Sequence, residues 1–303
     1  MIDALSDLLS LIDVRSVRCT RFEAGGDWSF GFPAKPALKF VAVLQGACWI
    51  VLPGEAPRPL AAGDTFLLAE APPYVLASDP ERRPEDGLSA FDWEHSDVAR
   101  HGEAETVLVA GAFVFEALHA RLLLDSLPAF TLIPAQDPTS AVLRSLLQLL
   151  DHEIRAEQIG VAMVTERLAE ILLVQVLRGY VARQDGSATG WIAAAADPRI
   201  GRALNLIHSD IAHDWRVDEL ARAVGMSRSA FAAAFKARAG APPLDYLLRW
   251  RMQVAREALR KGDTVATVAE KVGYASESAF GAAFKRVHGQ APKRYWTVAA
   301  GGG

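Results

Sequence analysis

The sequence predicts an α+β protein of two domains, an antiparallel β-barrel with helices followed by an all-α part. Three observations carry this prediction. Short apolar runs broken by Gly and Pro fill residues 16–112, apolar residues at helical spacing follow, and one pattern occurs twice after residue 197. A chain of 303 residues that is 51% hydrophobic can bury two cores.

The N-terminal part consists of short apolar runs separated by turn residues. Residues 39–44 and 48–52 are two such runs, with turns at Gly46, at Pro53-Gly54 and at Gly63-Asp64. Many short strands at close spacing are typical of an antiparallel barrel or a sandwich. The polar segment 79–105 is predicted to be a long loop.

Helices are predicted next. Leu143, Leu147, Leu150 and Ile154 recur at helical spacing, and residues 161–180 form a longer segment that is apolar around most of its girth. A helix with more than one apolar face needs more than one partner surface. Two interpretations stay open: one face packs on the barrel and another on a second subunit, or the helix is a core helix of one chain.

These patterns give the domain boundaries. The first domain is expected over residues 1–182, with the barrel at about 16–112 and helices at about 113–182. The polar, small residues that begin at Arg183 predict a linker over 183–196. The second domain follows over 197–303.

The repeated pattern of the second domain predicts two helix-turn-helix units. Each copy reads as a short apolar helix, a turn at Gly225 or Gly273, and a second helix that Ser227 or Ser276 can cap. The two copies are offset by about fifty residues.

In each second helix, phenylalanines four residues apart must face the core. The opposite stripe is what a DNA major groove would meet. That stripe comprises Ser229, Ala232, Ala233 and Lys236 in the first copy and Ser278, Gly281, Ala282 and Lys285 in the second.

The charge is divided unevenly between the two parts. Residues 197–303 hold 17 Lys+Arg against 10 Asp+Glu, and residues 1–196 hold 15 against 26. A basic module attached to an acidic one indicates phosphate binding at one end of the chain.

Residues 197–297, and above all the passage 269–280, resemble the AraC/XylS family of bacterial transcription regulators. Residues 39–46, 62–64 and 75–79 are similar to the cupin-type ligand-binding domains of a subgroup of that family. The resemblance implies a dimer-capable transcription factor that binds double-stranded DNA and responds to a small-molecule or stress signal through its cupin-like barrel. RNA polymerase is a further candidate partner.

Most side chains of the stripe are too small to form bidentate hydrogen bonds with base edges. We therefore expect specificity from close approach, thymine-methyl contacts, the serine hydroxyls and DNA shape, with Glu277 as an acceptor from cytosine. The cations expected to neutralise phosphates are Arg228, Lys236, Arg238, Lys285, Arg286, Lys293 and Arg294. A low-specificity architectural DNA-binding protein is the alternative.

A metal-dependent enzyme is not expected. The places where cupin enzymes hold their metal correspond here to Val41, Val43, Gln45 and Tyr74, which offer no imidazole or carboxylate. No P-loop, GxGxxG or Ser-His-Asp order occurs in the chain. We therefore predict no enzyme activity, metal or cofactor.

Aromatic residues of the barrel could line an effector pocket or form an ordinary core. The candidates are Trp28, Phe30, Phe40, Val41, Trp49 and Tyr74. Cys19 and Cys48 could approach each other, which leaves a redox-responsive regulator as another alternative, although inert buried cysteines are favoured.

No apolar run approaches the roughly 20 residues that a membrane span needs. The N-terminus lacks the order of a signal peptide, and the chain has only two cysteines. We therefore expect a cytoplasmic protein without a membrane partner.

Overall fold

The computed structural model describes residues 15–115, 123–124, 126–137, 140–156, 158–183 and 190–294. The chain divides into two compact units, with the boundary after Asp185. In the described part of the chain, the first unit holds the β-strands and two long helices, and the second is helical. None of the helices in the described part is long and apolar enough to span a membrane.

The first unit contains strands that form two sheets. The six-stranded sheet has the order β11-β6-β3-β10-β1-β9, and the five-stranded sheet has the order β5-β4-β7-β2-β8. The strands are β1 (Arg15–Ala24), β2 (Ser29–Phe32), β3 (Leu38–Gln45), β4 (Ala47–Val51), β5 (Arg58–Ala61), β6 (Thr65–Leu68), β7 (Tyr74–Ala77), β8 (Glu85–Asp86), β9 (Val98–His101), β10 (Thr106–Val114) and β11 (Phe130–Ile133).

The core of this unit lies between the two sheets. Phe22, Val41 and Phe66 of the six-stranded sheet belong to the same buried cluster as Ile50 and Leu76 of the five-stranded sheet. Side chains alternate along a strand, so neighbouring residues of β3 face opposite sides. The arrangement is a sandwich of two open sheets, so the predicted cupin-like antiparallel β-domain is confirmed, although its sheets do not close into a barrel.

Two helices pack on the outer face of the six-stranded sheet. They are α1 (Ser140–Ala156) and α2 (Val161–Ala182), and they contact β1 and one another. The residues of α1 predicted from helical spacing, Leu143, Leu147, Leu150 and Ile154, are all buried, as is Ser140 at its start. Arg21 of β1 pairs with Asp151 of α1, so a buried charge on this face of the sheet is neutralised by the helix that covers it.

The second unit contains seven helices in its described part. They are α3 (Trp191–Ala196), α4 (Ile200–Ser209), α5 (Val217–Ala223), α6 (Arg228–Ala239), α7 (Pro243–Arg260), α8 (Val265–Lys271) and α9 (Glu277–His288). Asp197 accepts hydrogen bonds from the backbone N–H groups of Arg199 and Ile200, each at 2.9 Å, at the start of α4.

Three segment boundaries differ from the sequence-based expectations. The predicted loop 79–105 includes β8 and β9, and the predicted helical segment 113–182 includes β11. The predicted linker 183–196 is too long, because Trp191 begins a helix and is buried. Residues 184–189 of that linker lie outside the described residues. Short strands that pair with distant segments leave weak local signals, which explains why β8, β9 and β11 were missed.

Candidate nucleic-acid interface and effector cavity

The first helix-turn-helix unit is formed by α5 and α6. Gly225 adopts a left-handed backbone with φ of 68°, and the N–H of Met226 donates to the carbonyl of Ala221 at 2.9 Å. The hydroxyl oxygen of Ser227 accepts a hydrogen bond from the N–H of Ala230 at 3.3 Å. These contacts end one helix and cap the next, as the sequence predicts.

The second helix-turn-helix unit, formed by α8 and α9, repeats these contacts. Gly273 has φ of 78°, and the N–H of Tyr274 donates to the carbonyl of Ala269 at 2.9 Å. Ser276 caps α9 by accepting from the N–H of Ala279 at 3.2 Å. The repeat seen in the sequence is therefore a repeat of backbone geometry as well.

Paired phenylalanines orient both second helices. Phe231 and Phe235 have ring centroids 5.5 Å apart, as do Phe280 and Phe284, and all four side chains are fully buried. Because the phenylalanine face of each helix is buried, the opposite face is directed away from the core of its unit.

The predicted stripes lie on these outward faces. Ser229, Ala233 and Lys236 of α6 are exposed and Ala232 is half-buried. On α9, Ser278, Ala282 and Lys285 are exposed, and a Cβ added to the half-buried Gly281 would meet nothing within 4 Å. Both surfaces therefore allow close approach of another molecule.

The predicted phosphate contacts fall into two groups. Arg228, Lys236, Lys285 and Arg286 are exposed and have no ion-pair partner among the described residues, which leaves their charges for an external anion. Arg238 differs, because its guanidinium lies 3.9 Å from the carboxylate of Asp197. It therefore has a structural role within its own unit.

Glu277, Lys293 and Arg294 are also exposed. Glu277 occupies the first turn of α9, where a carboxylate is stabilised by the positive end of the helix dipole. Its position thus has a structural explanation beside the predicted base contact.

Arg251 of α7 connects the two helix-turn-helix units, a role that the sequence did not suggest. Its guanidinium donates to the carbonyls of Ile211 and His213, both at 2.8 Å, and lies 5.9 Å from the ring centroid of Tyr274. Gly273 also lies directly against Ala212, since a Cβ there would be 2.3 Å from the Ala212 carbonyl oxygen. These contacts fix the turn of the second unit on the loop that precedes the first.

The β-rich unit contains a cavity of about 50 Å³ between its two sheets. Four of the six predicted pocket residues line it, namely Trp28, Phe30, Val41 and Tyr74. Phe32 also lines it, together with residues that the sequence did not single out, including Thr20, Phe22, Lys39, Leu76, Leu108 and Ala110.

Phe40 and Trp49 do not line the cavity, which corrects the predicted set. Phe40 faces the opposite side of the six-stranded sheet, where its ring centroid lies 5.8 Å from that of Phe113. Trp49 is out of phase with Cys48 and Ile50, which face the core of the sandwich. Phe40 lies in a strand that is largely buried on both faces, and β4 is apolar throughout although the face with Trp49 is half-exposed. Neither strand therefore has a polar alternation in its sequence that would mark the inner face.

One side of the cavity is closed by the loop that follows β8. Leu88, Phe91 and Trp93 of this loop line the cavity, and the indole N–H of Trp93 donates to the carbonyl of Leu88 at 2.8 Å. Leu88 and Trp93 are each 42% exposed. Two large aromatic residues within an otherwise polar segment were the sequence signal that could have identified this covering loop.

The two cysteines do not form a redox pair in this structure. Cys48 belongs to the core between the sheets, whereas Cys19 packs beside Phe40 and Gly111 on the other face of the six-stranded sheet. Burial also raises the pKa of the Cys48 thiol to about 12, which disfavours the reactive thiolate. The alternative in which the two thiols approach each other is therefore wrong, and both cysteines are buried, as in the favoured interpretation.

Comparison with known proteins identifies both parts of the chain. Residues 3–182 match the family described as Cupin, and residues 220–297 match the one described as Helix-turn-helix domain. A putative AraC-like transcription regulator of Streptomyces antibioticus is 40% identical over 97% of this chain and 98% of its own. The HTH-type transcriptional regulator AlkR of Acinetobacter baylyi is 29% identical over 97% of this chain and 98% of its own.

A putative AraC-like transcription regulator of Streptomyces lividans is likewise 40% identical over 97% of this chain and 97% of its own. The similarity thus covers both the cupin-like part and the paired helix-turn-helix units over nearly the whole length of each protein. The chain belongs to the AraC family of DNA-binding transcription regulators with an N-terminal cupin-like domain.

Proposed function

We propose that the protein is a homodimeric, cytoplasmic regulator that binds a promoter through α6 and α9 and responds to a small molecule in the β-rich domain. The observation that carries the DNA-binding part is the matched pair of outward helix faces. Each has a serine cap, a buried phenylalanine pair and an exposed lysine at the equivalent place, Lys236 or Lys285. Two recognition helices would enter successive major-groove turns, roughly 34 Å apart.

The residues proposed to contact DNA are those of the two stripes together with the exposed cations. Phosphate contacts by Arg228, Lys236, Lys285 and Arg286 supply affinity, and the small side chains supply close approach. Glu277 is proposed to accept from cytosine. Because few side chains can read bases bidentately, DNA shape contributes a large share of the specificity.

Selection from a randomised duplex library, with sequencing of the retained DNA, tests this proposal. We expect enrichment of two half-sites about one helical turn apart. Lys285→Glu should abolish retention, whereas Arg202→Glu, the same charge change on α4, should leave it intact. Salt-sensitive retention without an enriched motif would contradict specific reading and support the architectural alternative.

Exposed apolar residues on α1 and α2 support the proposed dimer. Val142 and Leu149 lie seven residues apart on α1, and Met163 and Ile171 are exposed on α2. Apolar side chains exposed in this number on two adjacent helices are typical of a surface that a second subunit covers. This would be the second partner surface that the apolar girth of α2 calls for.

Analytical ultracentrifugation of the full chain tests the dimer. Leu149→Glu should shift the protein toward monomer, while the neighbouring Gln148→Glu adds the same charge outside the apolar set and should not. A dimer that withstands Leu149→Glu, Met163→Glu and Ile171→Glu combined would contradict this interface. RNA polymerase contact is proposed only from the family's role as regulators.

A further inference from the structure

The cavity of the β-rich unit has an almost wholly apolar wall with one charge in it. Among the residues that line the cavity, Lys39 of β3 is the only charged one. The other polar groups in the lining that can donate include the hydroxyls of Thr20 and Tyr74. The wall otherwise consists mainly of aromatic and aliphatic side chains.

No carboxylate neutralises Lys39 within the described part of the chain. Its ammonium lies 5.5 Å from the ring centroid of Phe32 and 5.6 Å from that of Tyr74, so its neighbours are two aromatic faces. The charge that acts on it is a second ammonium group, that of Lys35. Burial, with this like charge, lowers the pKa of Lys39 to about 8.

An ammonium group in such surroundings is poorly compensated. Buried charges in proteins are normally paired with an opposite charge, because the lost hydration is otherwise not replaced. Aromatic faces stabilise a cation only in part. Lys39, the one cation in the lining of this apolar cavity, with the like charge of the exposed Lys35 acting on it from outside the lining, therefore favours an anionic group as the missing partner.

The geometry provides a place for both parts of such a ligand. Phe32 and Tyr74, the residues beside Lys39, are direct neighbours across β2 and β7, with ring centroids 5.0 Å apart. The ring centroid of Phe22 lies 5.5 Å from that of Trp28 and 6.3 Å from that of Phe91 in the covering loop. The cavity thus has a cationic group beside one aromatic pair and a second aromatic cluster under the loop.

We infer that the effector is an apolar carboxylate, whose carboxylate pairs with the Lys39 ammonium and whose apolar part packs among Phe22, Trp28 and Phe91. This inference rests on the proposed small-molecule response and gives it a ligand class. The half-exposed Leu88 and Trp93 are the covering residues that entry of such a ligand would displace.

The cavity has a volume of about 50 Å³, and one water molecule needs roughly 10–15 Å³. A ligand with an aromatic ring therefore also needs the displacement of Leu88 and Trp93. We choose 3-phenylpropionate, which has one aromatic ring, and its uncharged counterpart 3-phenylpropan-1-ol. Isothermal titration calorimetry of each probe against the full chain measures the preference for the charged group.

The wild type should bind the carboxylate at least tenfold more tightly than the alcohol. Lys39→Met should remove this preference while retaining the alcohol, and Lys39→Arg should retain part of it. Lys271→Met makes the same substitution in the helical domain and should leave the preference unchanged.

Equal affinities of the wild type for the two probes, or binding of neither, would overturn the inference even if Lys39→Met failed to fold. Retention of the preference by a folded Lys39→Met would also overturn it. Duplex selection on the same preparations tests the proposed function separately. An enriched DNA motif without carboxylate preference contradicts only the ligand class, and carboxylate preference without an enriched motif contradicts only specific DNA reading.

Discussion

The two helix-turn-helix units share one local design but rest on different surroundings. In the first, Phe235 packs against Tyr246, and the Tyr246 hydroxyl accepts a hydrogen bond from the Trp191 indole at 2.8 Å. Residues of α3, α4 and α7 all support this unit. In the second, the phenylalanine pair belongs to a cluster built mainly with the later part of α7, including Met252, Ala255 and Leu259.

The two helix-turn-helix units share their local features but differ in the contacts that hold them in place. Both helix-turn-helix units have the buried phenylalanines, the left-handed glycine and the serine cap, so these features belong to the local geometry that the two units share. The second unit depends in addition on Arg251 and on the close contact of Gly273 with Ala212. We therefore expect equal responses to changes in the shared features and unequal responses to changes at the supports.

Replacing a buried phenylalanine should lower the free energy of unfolding more than any other change considered. Phe231→Ala and Phe280→Ala should each destabilise the helical domain by about 3–5 kcal/mol, since both rings are fully buried and their removal leaves cavities. Denaturant unfolding of the two variants measures this, with Phe231→Leu and Phe280→Leu as volume-retaining controls. A difference of more than about 2 kcal/mol between the two alanine variants would show that the surroundings dominate over the shared design.

The glycines of the two turns should respond unequally. Both have positive φ, so alanine costs about 1–2 kcal/mol at either place. At Gly225 nothing lies within 4 Å of an added Cβ, whereas at Gly273 the Cβ would be 2.3 Å from a backbone oxygen. Gly273→Ala should therefore be clearly the more destabilising, and denaturant unfolding of both variants checks it. Equal losses would mean that the contact with Ala212 is easily relaxed.

The helical repeat could be predicted from the sequence far better than the cavity, and the reason is physical. Cap, glycine turn and phenylalanine spacing are local signals that act within a few residues, as at Ser227, Gly225 and Phe231. The lining of the cavity depends on which face of each strand turns inward. In β3, Lys39 and Phe40 are adjacent and both lie in a strand covered on two sides, so no polar alternation marks the inner face.

An irregularity in β1 adds to this difficulty. The register between β1 and β10 shifts between Val17 and Thr20, which is where one strand has an extra residue. The shift determines that Thr20 and Phe22 face the cavity while Cys19 and Arg21 face the helices. Such a shift depends on pairing with a strand about ninety residues away, and single-sequence patterns do not show it.

Low pH should destabilise the surroundings of the first helix-turn-helix unit more than those of the second. Burial lowers the pKa of His208 to about 3, and it also lowers the pKa of His288. The unfolded chain takes up a proton at His208 below about pH 6.5, whereas the folded chain stays neutral there, so stability falls as the pH decreases from 6.5 toward 3. The loss attributable to His208 is up to about 1.4 kcal/mol per pH unit.

Denaturant unfolding between pH 7 and pH 4.5 measures this dependence. His208→Gln keeps a polar group beside Tyr246 and should reduce the slope by about one proton. The same substitution at His288 should reduce it less. A slope that is unchanged in His208→Gln would assign the acid sensitivity to other groups.

The smallest expected effects concern the helix caps and separate the two units once more. Ser227→Ala and Ser276→Ala should each cost about 1 kcal/mol, because each removes an equivalent cap. The preceding helices differ: Thr264 accepts from the N–H of Thr267 at 3.2 Å, but Arg216 at the matching place of the first unit makes no side-chain cap. Thr264→Ala should therefore cost about 1 kcal/mol and Arg216→Ala close to none. If Arg216→Ala proved equally destabilising in denaturant unfolding, its aliphatic stem and not a cap would be the stabilising feature, and the first unit would depend on packing where the second depends on a hydrogen bond.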